Sequence, residues 1–349
     1  MHKYNFFNDY SEGAHPTILE LLAKTNLSQE TGYGEDSFCR EAAALLKRAI
    51  GNEGAAVHFV TGGTQANLIA LSSLLKSYEA VIAATTAHIN VHEAGALEAT
   101  GHKILTVATT DGKLTPALVQ EVVDAHTDEH MVKPRVVAIS NSTEIGTLYR
   151  RDELAALAQC CRANGLYLYL DGARLGAALT GEASDLTLPE LADLVDIFYI
   201  GGTKNGALLG EAIVINTPAL QADFRFHLKQ RGALLAKGRV LGLQFIGLFR
   251  DGLYFELARH ANAMAMKLAR GLAEQGFRFL APPATNQIFP ILPHGLIARL
   301  QESYGFYVWS KVDADHAAIR LVTSWATEEE RVDEFLADVR AAATRGFSG

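Results

Sequence analysis

The stretch Tyr167-Leu168-Tyr169-Leu170-Asp171-Gly172-Ala173-Arg174 decides how this chain is read. Four apolar or aromatic residues in a row, stopped by Asp-Gly, fit a strand buried on both faces, because a half-exposed strand alternates. A carboxylate at the carboxyl end of such a strand lies where α/β sheets hold their ligands. The same pattern repeats outward from it. Ala80–Ala84, Ile104–Val107, Arg135–Ile139, Asp196–Ile200 and Ala212–Ile215 read as further short strands, with Ala55–Val60 upstream. Helical spacing recurs at Phe38–Ala49, Ala66–Ser77, Pro116–Ala125, Asp152–Ala163 and Pro189–Leu194, and a further helix is expected near His92–Thr100. Asp36 and Ser37 are candidate caps of the first of these, and Pro16 suits the opening of a short helix over Thr17–Ala23. Apolar strands separated by amphipathic helices predict an α/β fold, a mostly parallel sheet covered on both faces.

From about Leu234 the pattern changes. A helical stretch runs to about Glu274, with a break expected near Gly252. Short strands at Phe277–Leu280, Gln287–Leu292, Tyr307–Trp309 and Ala318–Val322 follow, with helices near Gly295–Tyr304 and Glu328–Ala343. This reads as a smaller α+β lobe. A chain of 349 residues is long for one core. The expectation is a large domain over 15–240 and a small one made of 1–14 and 241–349, the first residues forming an arm across both.

Composition narrows the function. With 49% hydrophobic and 20% charged residues the chain is not a disordered one. Thirty-nine acidic against thirty-one basic residues give a net charge of −8, which speaks against a nucleic-acid partner. No apolar run approaches the ~20 residues of a membrane span, so no membrane partner is expected. The start, Met1 to Tyr10, lacks a signal-peptide stretch. Three cysteines, Cys160 and Cys161 adjacent among them, form no C-x-x-C pair. They read as thiols in a reducing cytoplasm, with no metal set.

Four pieces carry chemistry. Thr61-Gly62-Gly63-Thr64 lies between a strand and a helix, where glycines and free N–H groups suit a phosphate; the plain alternative is an ordinary capped turn. Asp171 suits a protonated pyridine nitrogen, or else a structural pair with Arg174. Lys204 ends the apolar strand Phe198-Tyr199-Ile200 inside Gly201-Gly202-Thr203-Lys204-Asn205-Gly206. Desolvation there makes a nucleophilic amine, where an exposed loop lysine would not be one. His88, after strand Ala80–Ala84, suits stacking on a flat ring or moving protons, unless it is a structural histidine. Their order along the chain, with the lysine 33 residues beyond the aspartate, matches the needs of a pyridoxal phosphate enzyme: phosphate cradle, ring cover, pyridinium partner and Schiff-base lysine.

Over most of its length the sequence resembles the fold type I pyridoxal phosphate enzymes and, within them, the threonine aldolase family. Leu170-Asp171-Gly172-Ala173-Arg174-Leu175 matches L-D-G-A-R-L, the most specific string. Asn8-Asp9-Tyr10 is similar to S-D-T, Gly32-Tyr33-Gly34-Glu35-Asp36 to Y-G-E-D, and Gly63-Thr64 with Asn67 to S-G-T-x-x-N. His88 with Glu93-Ala94-Gly95 resembles H-x-x-x-x-E-A-G, Thr203-Lys204 with Gly206 resembles S-K-G, and Arg320 to Thr323 resembles R-F-V-T. The resemblance implies a large seven-stranded-type sheet domain with a smaller α+β domain. It implies that Lys204 holds pyridoxal 5′-phosphate, that Asp171 pairs with its ring nitrogen, and that Thr203 belongs to the lysine loop. It implies that Arg174 lies by the ring's oxygen side and near the substrate carboxylate, that His88 covers the ring, and that Gly63 and Thr64 bind phosphate. Arg320 would hold the substrate's carboxylate, with Asn8 beside it. Two departures stand out. The family's E-N-T-H-N segment is here Ser140-Asn141-Ser142-Thr143-Glu144-Ile145-Gly146, without the second histidine. Its M-R-Q segment is Leu235-Ala236-Lys237, so Lys237 or Arg231 is the cation left to reach a phosphate, including that of a neighbouring subunit.

The implied activity is retro-aldol cleavage of a β-hydroxy-α-amino acid to glycine and an aldehyde, with Lys204, Asp171 and His88 as the catalytic set and His88 as candidate base. β-Elimination, transamination and racemisation use the same lysine and aspartate. A homodimer or homotetramer is expected, with each site completed by a neighbour's Tyr10–Gly34 or Phe226–Arg239 stretch.

Overall fold

A computed structural model describes residues 4–344. Its centre is a seven-stranded sheet. The strands run in the order Ala56–Val60, Glu211–Ile215, Ile197–Gly201, Tyr167–Asp171, Lys133–Ser140, Glu79–Ala84, Lys103–Val107. Six of them run in one direction; Glu211–Ile215 alone is reversed, antiparallel to both of its neighbours. Every residue of Glu79–Ala84, Ile197–Gly201 and Glu211–Ile215 is buried. That is the condition the uninterrupted apolar runs require, since helices cover both faces and leave no wet side. Tyr167–Asp171 lies mid-sheet, and its carboxyl end delivers Asp171 next to the end of Ile197–Gly201.

The helices begin where local chemistry stops the strands. Asp36 caps Ser37–Ile50 by accepting from the Cys39 N–H at 2.7 Å, the geometry an N-cap aspartate provides. Pro16 opens Pro16–Thr25. The turn before Gly63–Leu74 has no side-chain cap, so the first N–H groups of that helix stay open to the cleft. A helix over His92–Thr100 does not form. Instead a single turn covers His88–Val91, Ala94 and Gly95 take φ of +51° and +71°, and a short 3₁₀ turn follows at Glu98–Thr100. Two successive left-handed residues end any right-handed helix, and they turn Glu93 inward. The expected strand Phe277–Leu280 is reduced to a single bridge, Phe279 with Pro290.

Beyond it, Ile291–Pro293, His316–Val322 and Tyr307–Lys311 form the small antiparallel sheet, with Gln287–Ile288 on its flank. Leu253–Glu274 and Glu329–Thr344 pack beside it; Leu268, Leu272, Val332 and Phe335 share its core with Leu292, Ile319 and Leu321. The chain's start belongs to this lobe. Tyr4–Asn5 pairs with Tyr304–Gly305, and Phe6 is buried in its core. The arm then crosses to the large lobe, where the His15 N–H donates to the Gly206 carbonyl at 2.8 Å. The expected division at residue 241 falls inside Arg239–Phe249. Phe245, Ile246 and Leu248 of that helix join the large-sheet core, as do Tyr254 and Leu257. We therefore propose a break within Leu253–Glu274, whose first turns pack on the large core and whose last turns pack on the small one.

Candidate active site

At the carboxyl ends of the central strands the buried Asp171 carboxylate is held on both oxygens. Oδ2 accepts from Asn67 Nδ2 at 3.0 Å; Oδ1 accepts from the Tyr199 hydroxyl at 2.5 Å and the Ala173 N–H at 3.0 Å. Asn67 is itself aimed by two partners. Its Oδ1 accepts from the Tyr169 hydroxyl at 2.6 Å and its Nδ2 donates to Glu93 at 2.7 Å. Glu93 also holds His88 Nδ1 at 2.8 Å. One chain of bonds thus positions the aspartate and the histidine together. Burial alone would lower the pKa of His88, but the Glu93 bond and the charges of Glu144 and Asp171 outweigh it, and the net shift is upward.

Lys204 stands on the loop after Ile197–Gly201. The Thr203 hydroxyl accepts from the Gly210 N–H at 3.0 Å, which braces that loop. Burial pushes the Lys204 ammonium down from its ordinary value, and the Arg174 guanidinium adds to the effect; Asp9, Glu144 and Asp171 oppose it. An amine that loses its proton more readily is the condition for nucleophilic use. Glu211, pushed up to about 7 by burial, accepts from the Gly202 N–H at 2.7 Å beneath the same loop.

Two cavities open here. One, of about 280 Å³, is lined by Thr61 to Thr64, His88, Asp171, Ala173, Tyr199, Thr203 and Lys204, among others. The second, of about 440 Å³, is lined by His92, Arg174, Tyr307, Trp309 and Arg320. Tyr10, His88, Glu144 and Lys204 belong to both walls. A further cavity of about 160 Å³, by Tyr33, Arg40, His58 and Arg225, shares no lining residue with these.

The first chamber fits pyridoxal phosphate on three observations. The uncapped amino end of Gly63–Leu74 faces it, and at Gly63 a side chain would crowd the Tyr199 hydroxyl at 3.0 Å. The anchored Asp171 borders it, and so does the lysine of lowered pKa. The second chamber offers cations. Arg320 gives one N–H to the Phe7 carbonyl at 3.2 Å, lies 5.2 Å from the rings of Tyr307 and Trp309, and has a buried Nε with no partner among the described residues. Burial, then Arg174, pulls its pKa down, which a carboxylate partner would reverse. Arg174 spends two nitrogens on Asp9, at 2.7 and 3.0 Å.

Gly63, Thr64, His88, Asp171, Thr203 and Lys204 thus line one chamber, and Arg174 and Arg320 line the other. Two expected residues lie elsewhere. Asn8 lines neither wall; its side-chain oxygen closes its own turn, accepting from the Tyr10 N–H and the Ser11 hydroxyl, each at 3.0 Å. Asp9, one residue on, is the group that meets Arg174 and Asn286. Lys237 is exposed and outside both chambers of its own chain. Tyr169, Tyr199 and Glu211 carry contacts at the site that the sequence reading did not assign. Asp9, Asn67 and Glu93 stood there only as letters of a motif.

A sheet of this topology with a lysine, an aspartate and an open helix end at one edge defines a fold type I pyridoxal-phosphate-dependent enzyme. An aspartate aminotransferase from Thermus thermophilus, 15% identical, shares the fold at a TM-score of 0.73 over 98% of this chain and 92% of that one. The chain belongs to the beta-eliminating lyase family, whose model matches residues 9–293, and within it to the threonine aldolases. It is 37% identical to a low specificity L-threonine aldolase from a Pseudomonas species, over 96% of this chain and 97% of that protein. It is 48% identical to a threonine aldolase of known structure from Leishmania major, with a TM-score of 0.95 over 97% and 99% of the two chains. It is a carbon–carbon lyase.

Proposed function

We propose that this chain cleaves a β-hydroxy-α-amino acid, threonine or allo-threonine, to glycine and an aldehyde. The observation that carries the reading is the pair of chambers meeting at Lys204, one built for the cofactor and one for an amino acid's carboxylate. Bound pyridoxal phosphate supplies an electron sink for the pair released from the Cα–Cβ bond. The chain's residues do the rest. Gly63 and Thr64 present N–H groups to the phosphate. Asp171, held by Asn67 and Tyr199, keeps a proton on the ring nitrogen. Lys204 is the covalent attachment point, and its lowered pKa favours the free amine. His88 covers the ring. Arg320 binds the carboxylate, as a planar fork with an unused N–H does well, and Arg174 closes the same wall.

We further propose a homodimer or homotetramer in the cytoplasm, with a neighbour supplying the phosphate-side cation from Lys237 or Arg231. The exposed Phe226, and Tyr33, whose ring lies 4.7 Å from Lys229 Nζ, support a covered surface on that face. Free Cys39, Cys160 and Cys161 are compatible with a reducing compartment. Among the described residues no helix is long and apolar enough to cross a membrane.

The test is product analysis with threonine and allo-threonine. Glycine and acetaldehyde in equal amounts are expected. Ammonia with 2-oxobutyrate would make the chain a β-eliminating enzyme instead, and interconverted enantiomers would make it a racemase.

A further inference from the structure

Cleavage of a β-hydroxy amino acid needs a group that takes the hydroxyl proton. His88 is one candidate: its Nδ1 is bound to Glu93, and no hydrogen bond of its Nε2 is present among the described residues.

The turn that departs from the family's pattern holds the other candidate. Residues 141–147 follow Lys133–Ser140 and are bound tightly to the frame. The Asn141 N–H donates to the Asp171 carbonyl at 3.1 Å, and Asn141 Oδ1 accepts from the Tyr149 N–H at 3.2 Å. The Thr143 N–H donates to the Thr147 carbonyl at 2.9 Å, and the Gly146 N–H donates to Thr143 at 3.0 Å. The Thr147 hydroxyl donates to the Asp111 carbonyl at 2.7 Å. Glu144 rides at the tip, half-buried, on the wall common to both chambers. Its neighbours have bonds that hold them, whereas no hydrogen bond or ion pair occupies its carboxylate among the described residues. The groups sharing its walls are His88 from the turn at His88–Val91 and His92 just after it, Asp171 at the end of the central strand and Arg174 at the start of Leu175–Thr180, Lys204 from its loop, Arg320 from the small sheet, and Tyr10 from the arm. Its charge acts on His88, Arg174, Lys204 and Arg320.

We propose that Glu144 accepts the β-hydroxyl proton of the substrate as the Cα–Cβ bond breaks. This rests on the aldolase reading above. The O–H bond breaks and its electron pair forms the second bond of the aldehyde carbonyl. The Cα–Cβ pair stays with Cα, which later takes up one proton to give glycine. One proton has moved from oxygen to carbon, and no oxidant or reductant is needed.

The experiment uses cofactor-loaded protein with Glu144→Gln and Glu144→Asp. Two reactions are followed: threonine cleavage against pH, and exchange of the α-hydrogen of glycine in D2O by proton NMR, which never involves a β-oxygen. Glu144→Gln is expected to lower kcat for cleavage by about 100-fold or more at every pH, since a base contributes ~10²–10⁴-fold. Glycine exchange and KM should stay within about threefold, and Glu144→Asp should recover part of the loss. Cleavage close to the wild-type rate in Glu144→Gln would overturn the proposal, and so would exchange falling in step with cleavage, the sign of a structural role. Wild-type protein that exchanges glycine but cleaves neither threonine isomer would overturn the aldolase reading, and this proposal with it.

Discussion

His88 and Glu93 form a pair whose behaviour follows from where the proton rests. The raised pKa of His88 means that the fold stabilises the imidazolium. That contribution is present in full below the unfolded-state value of 6.5 and is lost as pH rises through the folded-state value. NMR titration of the His88 ring is expected to show a midpoint above 6.5, and Glu93→Gln should bring it down. A wild-type midpoint below 6.5 would mean that burial wins over the carboxylate. Arg320 gives a second prediction at this scale. Its Nε is buried and unsatisfied, so the group it awaits is worth more than a surface partner. Arg320→Ala should weaken substrate binding by about 2–5 kcal/mol while the cofactor's absorbance is retained. Equal loss of both would make Arg320 structural. Asp171 and Lys204 were legible in the sequence because their signal is local: an apolar strand that runs straight into a short glycine-containing turn carrying a charged residue. Asp9, Tyr199 and Asn67 were not, because their roles exist only as contacts. Asn67 meets Asp171 across 104 residues of sequence and Asp9 meets Arg174 across 165, and no spacing rule reports such a pairing.

At the scale of elements, the junction of Tyr167–Asp171 with Ile197–Gly201 sets the precision of the site. A side chain at Gly172 would place its Cβ 1.9 Å from the Tyr199 carbonyl oxygen, and one at Gly201 would lie 2.4 Å from that of Ala173. Backbone oxygens cannot rotate aside as a side chain would. Gly172→Ala is therefore expected to destabilise by about 1–3 kcal/mol or more, the range for overpacking, measurable as a lower urea midpoint. An unchanged midpoint would mean that the strands separate freely. The buried strands of the large sheet were readable from composition, since two covered faces leave no polar alternation to find. The short elements were not. Leu175–Thr180 and Phe224–Gln230 are too brief to show a helical period, and the expected helix at His92–Thr100 is stopped by the left-handed Ala94 and Gly95. Two lone left-handed residues leave little mark on a pattern of apolar spacing.

At the scale of the molecule, the arm from Tyr4 to His15 ties the small lobe to the large one, through Phe6 in one core and His15 on Gly206 in the other. Asp9 sits midway and holds both Arg174 and Asn286. Burial alone would raise the Asp9 carboxyl, but Arg174 and Lys204 pull it below its ordinary range. Asp9→Ala should therefore loosen the lobes and free Arg174 together, lowering activity and stability in one step; a fall in activity alone, with an unchanged melting point, would confine Asp9 to the site. The most direct test of the whole account is the identity of the lysine that carries the cofactor. Borohydride reduction of the loaded protein, followed by peptide mapping, should find one cofactor–peptide adduct, on Lys204, and none in Lys204→Ala. An adduct on any other lysine, or an unchanged adduct in that variant, would contradict the site described here.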